Sequence, residues 1–418
     1  MNLFAFSAWH PGNTTCAVLE YGAWAIAVAW CVRVRGLIHN FHKIADLSGM
    51  EWDIGPVGSP TLTVVVPAKD EAANIAATCE ALLMADYPRL KIMCVNDRST
   101  DATGTILDEI AARAQCKLEV IHISELPEGW MGKTFAMEEA TRLTESDWLL
   151  YTDADVLFSP SILRRALAYA EESRADHLVV MPTVLVKSCG EGMMLGALQM
   201  LGMWAARPWR IADVKAKRDT IGVGAFNMVR RSSLEELGGW APQRMAVVED
   251  VALGRRVKAA GMQQYVAFAP GLMLLHWAKG ANGIVRVLTK NMFASVGFRP
   301  LLMMMVIGWV VAFCIAPVAG LFWWRTLLPS ALALLSVAAA YRTVAPASRI
   351  DARYGWLFPI GAVMIMWAMM RSMMVVLWQR GVTWRGTHYS LGELRTHNSP
   401  WLWEMAAAQE RRAAKGKR

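Results

Sequence analysis

Apolar residues are unevenly distributed along this chain. From Ala17 to Val34 the apolar run is interrupted by Glu20 and Arg33 alone, and Arg35, His39, His42 and Lys43 follow it. Such a run predicts a transmembrane helix with its C-terminal end in the cytosol. Basic residues lie after the run rather than before it, which distinguishes an uncleaved anchor from a signal peptide. Beyond Arg299 come Leu301 to Phe322, Thr326 to Tyr341 and Trp356 to Trp378, each apolar enough to span, with Pro317, Pro329 and Pro359 permitting kinks or a re-entrant hairpin. Three crossings here would place the basic tail (Arg380, Arg385, Arg395, Arg411, Arg412, Lys415, Lys417, Arg418) opposite the preceding domain, against the positive-inside rule. One stretch is therefore expected not to cross, and the short, Ala-rich middle one, ending beside Arg342, is the weakest.

The pattern between these regions is different. Short β-branched runs predict strands at Leu62 to Pro67, Lys91 to Val95, Leu118 to Ile123, Trp148 to Thr152 and His177 to Met181. Helical patterns fall at Glu71 to Met84, Ala102 to Gln115, Met131 to Thr144 and Pro160 to Ser173. Their alternation predicts an α/β domain with a parallel sheet covered on both faces, whose ligand lies beyond the carboxyl ends of the strands. The Met- and Trp-rich segment Gly192 to Trp209 is too short to span comfortably. It fits a helix lying in the membrane interface or lining a lipid entry, and equally an amphipathic core helix.

Composition sharpens this division. The 418 residues are 55% hydrophobic and 19% charged with mean hydropathy +0.28, too apolar for a purely soluble enzyme and incompatible with disorder. Most of the charged residues sit in the middle of the chain, which argues against a transporter bundle, and the net charge of +8 is too dilute to suggest nucleic acid. It leaves cations for anionic headgroups. Seven scattered cysteines (Cys16, Cys31, Cys79, Cys94, Cys116, Cys189, Cys314) form no Cys-x-x-Cys and imply neither a disulfide framework nor a zinc site.

Polar clusters follow three of the predicted strands: Pro67-Ala68-Lys69-Asp70-Glu71, Asn96-Asp97-Arg98-Ser99-Thr100-Asp101 and Thr152-Asp153-Ala154-Asp155. A fourth, Val248-Glu249-Asp250, lies far downstream. Carboxylates gathered at one sheet edge repel one another and need a cation or a hydrogen-bonding ligand. Asp153 and Asp155, two apart at a strand end, can supply hard ligands to Mg²⁺ or Mn²⁺, the shell being completed by water and diphosphate oxygens. Several of these residues have structural readings as well. Asp101 can cap the helix that follows, Glu71 can favour a helix N-terminus, Glu249 can orient its loop and Lys133 can be a solvated helix residue. The histidines show no ligand spacing, and His276 beside Trp277 reads as a core or interface residue.

These motifs, in this order, resemble family 2 glycosyltransferases. VVVPAKDEAANI is similar to that family's first-strand motif, VNDRSTDAT to its V-D-D-x-S-x-D-x-T, YTDADV to its Asp-x-Asp, IGVGAFNMVRR with LGGW to its acceptor-side segment, and VVEDVALGRRVKAAG to its Glu-Asp motif. LPEGWMGKTFA and the flanking spans look like hopanoid-associated and carotenoid-type members. VTWRGTHYSL resembles a stretch after the final span of ceramide glucosyltransferase, a more distant relative. The resemblance implies a nucleotide-diphospho-sugar transferase (GT-A, Rossmann-like) domain at residues 60–299, between an anchor at 1–44 and a transmembrane region at 300–380, with a basic cytosolic tail at 381–418. It implies an inverting, metal-dependent transfer from a nucleotide-sugar donor, a UDP-hexose, to a lipid hydroxyl at the cytosolic face of the cell membrane.

By the same resemblance Asp97 holds the base or ribose, while the backbone near Pro67, Ala68 and Glu71 walls the base and Lys133 lies close to the nucleotide. Asp153 and Asp155 bind the diphosphate through Mn²⁺ or Mg²⁺, and Asp250, with Glu249 beside it, is the general base. One departure stands out. Where processive synthases and ceramide glucosyltransferase carry Gln/Arg-x-x-Arg-Trp, this chain reads Gly283-Ile284-Val285-Arg286-Val287, so that Arg286 alone survives as a leaving-group cation. The missing Trp disfavours a processive polysaccharide synthase, and the intact carboxylates disfavour a non-catalytic nucleotide-sugar-binding scaffold.

Overall fold

The computed structural model describes residues 13–398. Helix α1 (Asn13–Asn40) delivers the chain to a sheet built from β1 (Ala45–Asp46), β2 (Leu62–Ala68), β3 (Leu90–Asp97), β4 (Leu118–Ile123) and β5 (Trp148–Tyr151). Between them lie α2 (Ile75–Leu83), α3 (Thr103–Arg113) and α4 (Gly132–Arg142). Next come β6 (Val156–Phe158), α5 (Ile162–Glu172), β7 (His177–Met181), β8 (Thr183–Val184) and α6 (Cys189–Ala205). They are followed by β9 (Asn227–Arg230), α7 (Arg231–Glu236), α8 (Glu249–Ala260), β10 (Gln264–Phe268) and β11 (Met273–Leu275). Strand β2 reads as a continuous apolar run because helices cover both faces of the sheet, and six of its seven residues are buried.

The main sheet has eight strands in the order β1-β10-β7-β9-β5-β2-β3-β4. It is not purely parallel as the alternation implied. Strand β9 is inserted antiparallel between β5 and β7, where Asn227 pairs with both Tyr151 and Val179. Helix α6 and the long segment after it carry the chain round to enter the sheet from the opposite end, so β9 runs against its neighbours. Register aligns Val65 with Tyr151 and Ala68 with Asn96, so the turns after β2, β3 and β5 meet at one edge. Helix α2 starts later than predicted, because Asp70 adopts φ 54° and the chain turns before it can coil.

Helices α9 (Gly280–Ser295), α10 (Pro300–Val310), α11 (Ala316–Gly320), α12 (Trp324–Ser348) and α13 (Phe358–Trp378) follow the sheet. The chain closes with hairpin strands β12 (Gly381–Trp384) and β13 (Thr387–Ser390) and helix α14 (Leu391–His397). Among the described residues four helical segments are long and apolar enough to cross a membrane: Thr14–Lys43, Pro300–Gly320, Trp324–Ser348 and Phe358–Trp378. Glu20 pairs with Arg325 at 3.6 Å and Cys31 with Ser336 at 3.3 Å, so α1 and α12 run side by side in the same direction. The middle apolar stretch remains the least hydropathic of the three after Arg299. It forms the 25-residue α12, the longest helix of the C-terminal group.

Helix α13 instead lies along α6 and α9, which follow β8 and β11 of a small three-stranded sheet. A Cβ on Gly361 would come 2.3 Å from Met193 O, and Ser372 donates to Thr289 O at 2.6 Å and accepts from Phe293 N at 2.9 Å. The hairpin after α13 returns to the sheet edge, where Arg385 pairs with Glu71 at 2.5 Å. Residues on both sides of Pro300–Trp378 therefore rest on the same domain. Helix α6 starts at Cys189, earlier than the sequence pattern suggested. With Met194, Ala197 and Met200 buried it is a packed core helix, shared by the sheet domain and the apolar helices. The basic residues Arg411, Arg412, Lys415, Lys417 and Arg418 lie outside the described residues.

Candidate active site

The turns after β2 and β3 are laced together. Asp70 accepts from Thr100 N at 2.7 Å, Ser99 Oγ accepts from Asp70 N at 3.0 Å, and Glu71 N donates to Thr103 Oγ1 at 2.8 Å. Asp70 and Arg98 both sit at φ 54°, a left-handed backbone uncommon outside glycine and concentrated at functional sites. Asp101 accepts from Thr103 N at 2.9 Å and Ala72 N at 3.1 Å, so it ties the first residue of α3 to the turn after β2, although the N-cap position itself is Ala102. Asp97, buried at the end of β3, is held by Arg98 at 2.7 Å. Pro67 is half-buried and Ala68 buried, which leaves their backbone rather than their side chains at the edge.

At the centre, Lys133 at the start of α4 bridges two carboxylates, with Nζ 2.5 Å from Asp153 and 2.6 Å from Glu249. It is a positioned cation rather than a solvated helix residue, and its partners raise its pKa against the cost of burial. Asp153 follows β5, and its backbone N–H donates to Gly224 O at 3.1 Å. The loop before β9 wraps so closely that a Cβ on Gly224 would come 2.6 Å from Asp153 Oδ2, and one on Gly222 2.1 Å from the Asp250 backbone. Glycine is required at both positions for the two acidic segments to meet.

Electrostatics separates the carboxylates. Burial alone would raise Asp153, but the Lys133 ammonium, with Lys290 and Arg385 beyond it, holds it below the usual range. Asp155 has no such partner: burial, then the charges of Asp153 and Glu71, push it up to about 6. Asp250 opens α8, and its Oδ1 accepts from Val251 N at 2.7 Å. Burial and the neighbouring Glu249 push it up to about 6 as well. A small cavity of about 10 Å³ adjoins this group, lined by Lys133, Tyr151, Asn227, Trp240, Glu249 and Asp250 among others.

The site has members that sequence reasoning missed and loses one that it proposed. Arg286 is exposed on α9 and makes no bond to these carboxylates among the described residues. One helical turn on, Lys290 faces them instead, its Nζ 3.1 Å from the Trp384 ring centroid and its pKa brought down to about 8 by burial. Trp384 and Arg385 come from the β12–β13 turn, where Arg385 donates to Lys69 O and pairs with Glu71. The signal for this turn was present: Arg385 and Gly386 both have positive φ, as a two-residue hairpin between alternating strands demands. His276 lies 3.5 Å from Glu191 at the foot of α6 and takes no part.

Among the described residues no group of three or more His, Cys, Asp or Glu forms a protein-only metal cage. Asp153 and Asp155 nevertheless fit one divalent cation, because a carboxylate raised by burial and then by adjacent like charge is the group a cation relieves, and hard oxygen donors suit Mg²⁺ or Mn²⁺.

A family model described as glycosyltransferase like family 2 matches residues 60–296. The chain belongs to glycosyltransferase family 2. Its sheet domain is accordingly an α/β nucleotide-diphospho-sugar transferase domain of GT-A type, accompanied by apolar helices at both ends. A probable glycosyltransferase, YdaM, of Bacillus subtilis (strain 168) is 27% identical over 50% of this chain and 49% of its own length. A beta-monoglucosyldiacylglycerol synthase of Synechocystis sp. (strain ATCC 27184 / PCC 6803 / Kazusa) is 27% identical over 49% of this chain and 42% of its own. The chain thus spans about half the length of these curated relatives. A 4,4'-diaponeurosporenoate glycosyltransferase of Staphylococcus haemolyticus (strain JCSC1435) is 21% identical over 69% of this chain and 79% of its own. Among solved structures, a mannosyltransferase from Pyrobaculum calidifontis in complex with GDP-Man and Mn2+ aligns with 82% of this chain and 97% of its own at 19% identity and TM-score 0.46.

Proposed function

We propose that the protein transfers a sugar from a nucleotide-diphospho-sugar, a UDP-hexose, to the hydroxyl of a membrane lipid at the cytosolic face, with inversion. The observation that carries this reading is the placement of Asp250. Its recessed carboxylate faces the same cavity as the Lys133–Glu249 pair, and Val248, just before Glu249 and Asp250, packs against the apolar cluster that α6, α9 and α13 share. The named products or acceptors of two relatives, a glucosyldiacylglycerol and a diaponeurosporenoate, are lipids and support the acceptor class.

The chain's own groups divide the reaction between them. Asp250 takes the proton of the acceptor hydroxyl as that oxygen attacks the anomeric carbon, and the bond to the nucleoside diphosphate breaks on the opposite side. Asp97 with the turns after β2 and β3 holds the nucleoside. Lys133 and Glu249 fix the geometry between donor and base. A divalent ion on Asp153 and Asp155 would neutralise charge on the departing diphosphate. Lys290 and Arg385 add fixed positive charge on that side.

The test uses inverted membrane vesicles, which expose the cytosolic face, given radiolabelled UDP-glucose and, in parallel, other nucleotide sugars with Mn²⁺. Label is expected in an organic-extractable lipid. A water-soluble polymer would replace this reading with a processive synthase. UDP binding by calorimetry with no transfer from any donor would replace it with a scaffold. Lys290→Gln is expected to lower kcat about 10- to 100-fold with donor KM little changed, since fixed charge at a leaving group acts in the transition state. A change confined to KM would show that Lys290 only binds donor.

A further inference from the structure

We propose that His177 is a positioning residue for the base Asp250: through Gln264 and Asn227 its imidazole pins both ends of the glycine loop 220–227, on which the first turns of α8 rest. The role rests on the transfer reading above, since it is Asp250 that the loop places. Three polar side chains lie side by side within the sheet, where apolar ones would pack more simply. His177 on β7, Gln264 on β10 and Asn227 on β9 are buried on three adjacent strands. Gln264 stands opposite His177 in register, and Val229, two residues from Asn227 and so on its face of β9, packs with Leu253 and Val257 of α8. The row therefore lies beneath the helix that carries the base.

The backbone fixes the orientation of every member. Ile221 N can only donate and Ile221 O can only accept, so Gln264 Oε1 receives the first at 3.4 Å and Nε2 donates to the second at 2.8 Å. Oε1 also accepts from Thr220 Oγ1 at 3.0 Å. With Nε2 thus the donor, its 2.8 Å contact with His177 requires a bare Nδ1. The proton of the neutral ring then sits on Nε2, which donates to Asn227 Oδ1 at 2.5 Å. Burial brings the pKa of His177 down to about 4, so the ring stays in this one form near neutral pH. A single imidazole holds the start of the loop through Gln264 and its end through Asn227.

What the two pins hold is the floor of the site. Gly222, pressed against the Asp250 backbone, lies between them, as does Gly224 beneath Asp153. One turn along α8, a Cβ on Gly254 would come 2.2 Å from Ile221 O and 2.8 Å from Gln264 Nε2. Asp250 and Gly254 are four residues apart and share a face of the helix, so that face bears on the loop at both ends of a turn. Asn227 in addition lines the small cavity with Lys133, Glu249 and Asp250. A buried polar network with its partners in place rigidifies what it holds. Here that is the backbone between the metal carboxylate and the base, whose spacing is set by a residue that bonds to neither among the described residues.

The experiment pairs hydrogen–deuterium exchange with transfer kinetics on the full chain in detergent. It compares the wild type with His177→Leu, which removes both hydrogen bonds, and His177→Gln, which keeps one donor and one acceptor. In His177→Leu the amides of loop 220–227 and of the first turn of α8 are expected to exchange at least about tenfold faster, the worth of one buried hydrogen bond. Amides in the turns after β2 and β3 should keep their wild-type rates. The kcat should fall about 10- to 100-fold, the cost of a misplaced group, with donor KM and UDP affinity within about twofold of the wild type. His177→Gln should recover most of both losses. If His177→Leu fails to fold, Gln264→Met, which frees the start of the loop alone, takes its place with the same expectations. Unchanged exchange in the loop would overturn the proposal whether or not sugar is transferred. Faster exchange with an unchanged kcat, or a loss confined to donor KM, would overturn it as well. A wild type that transfers no sugar from any nucleotide donor would overturn the functional reading instead and leave the exchange rates to decide the pinning.

Discussion

Asp250→Asn is expected to lower kcat by about 10²- to 10⁴-fold, the range for removing a positioned general base, while leaving donor binding close to that of the wild type. Asparagine keeps the shape and can still accept from Val251 N, the one hydrogen bond the carboxylate makes here. What it loses is the ability to take a proton. The same substitution should leave Tm unchanged or raise it, which separates a chemical role from a structural one. The sign follows from linkage. Burial and Glu249 push the folded pKa of Asp250 up to about 6, above its unfolded value. Its contribution to stability is therefore fully present below the unfolded pKa and lost as pH rises through about 6, so at neutral pH the ionised group is a burden that asparagine removes. Activity runs the other way. The base must be ionised, so kcat/KM of the donor-free enzyme should climb with pH through about 6. A pH–rate profile with no acid limb near that value, or an Asn variant of near-normal rate, would remove Asp250 from the chemistry.

The sequence exposed the carboxylates and concealed the cations for a physical reason. Asp97 and Asp153 stand directly after strands whose covered faces make them read as unbroken apolar runs, so the strand ends, and the site with them, can be located by composition. Lys290 and Arg286 are one turn apart on the same stripe of α9, and which of them reaches the carboxylates depends on how α9 packs against α13. No local pattern reports that packing. Arg385 was hidden by context: in a tail crowded with basic residues it looked like one more topological charge. The alternation around Arg385-Gly386 nevertheless carried a hairpin signal. Strand β9 was missed because four residues emerging from a glycine-rich loop carry too little periodicity, and the antiparallel direction it brings to the sheet has no sequence mark at all. Crossing arithmetic expects the chain to return to the side of the sheet domain, and the low hydropathy of the middle stretch comes from its alanines, of which Ala333 and Ala340 are buried in α12.

Chelation of divalent metal is expected to abolish transfer, and Asp155→Asn to reduce it by about 10²- to 10³-fold, with Mn²⁺ or Mg²⁺ restoring the chelated wild type. The argument starts from the asymmetry of the pair. Asp153 is already satisfied by Lys133 at 2.5 Å, whereas Asp155 is left with like charge from Asp153 and Glu71 and no counter-cation. Two carboxylates complete less than half of an octahedral shell, so the ion should bind weakly to the protein alone and at least about tenfold more tightly once UDP supplies diphosphate oxygens. Manganese binding followed by electron paramagnetic resonance, with and without UDP, measures this directly. Proton competition gives the sign of its pH dependence. A ligand must be deprotonated to bind, so with Asp155 pushed up to about 6 by burial and its neighbours, Mn²⁺ affinity should fall as pH drops below that value. In Asp155→Asn the fall should be shallower, since the titrating group is gone. Full transfer activity in excess chelator, or Mn²⁺ affinity indifferent to both UDP and Asp155, would instead assign the neutralisation of the diphosphate to Lys133, Lys290 and Arg385 alone.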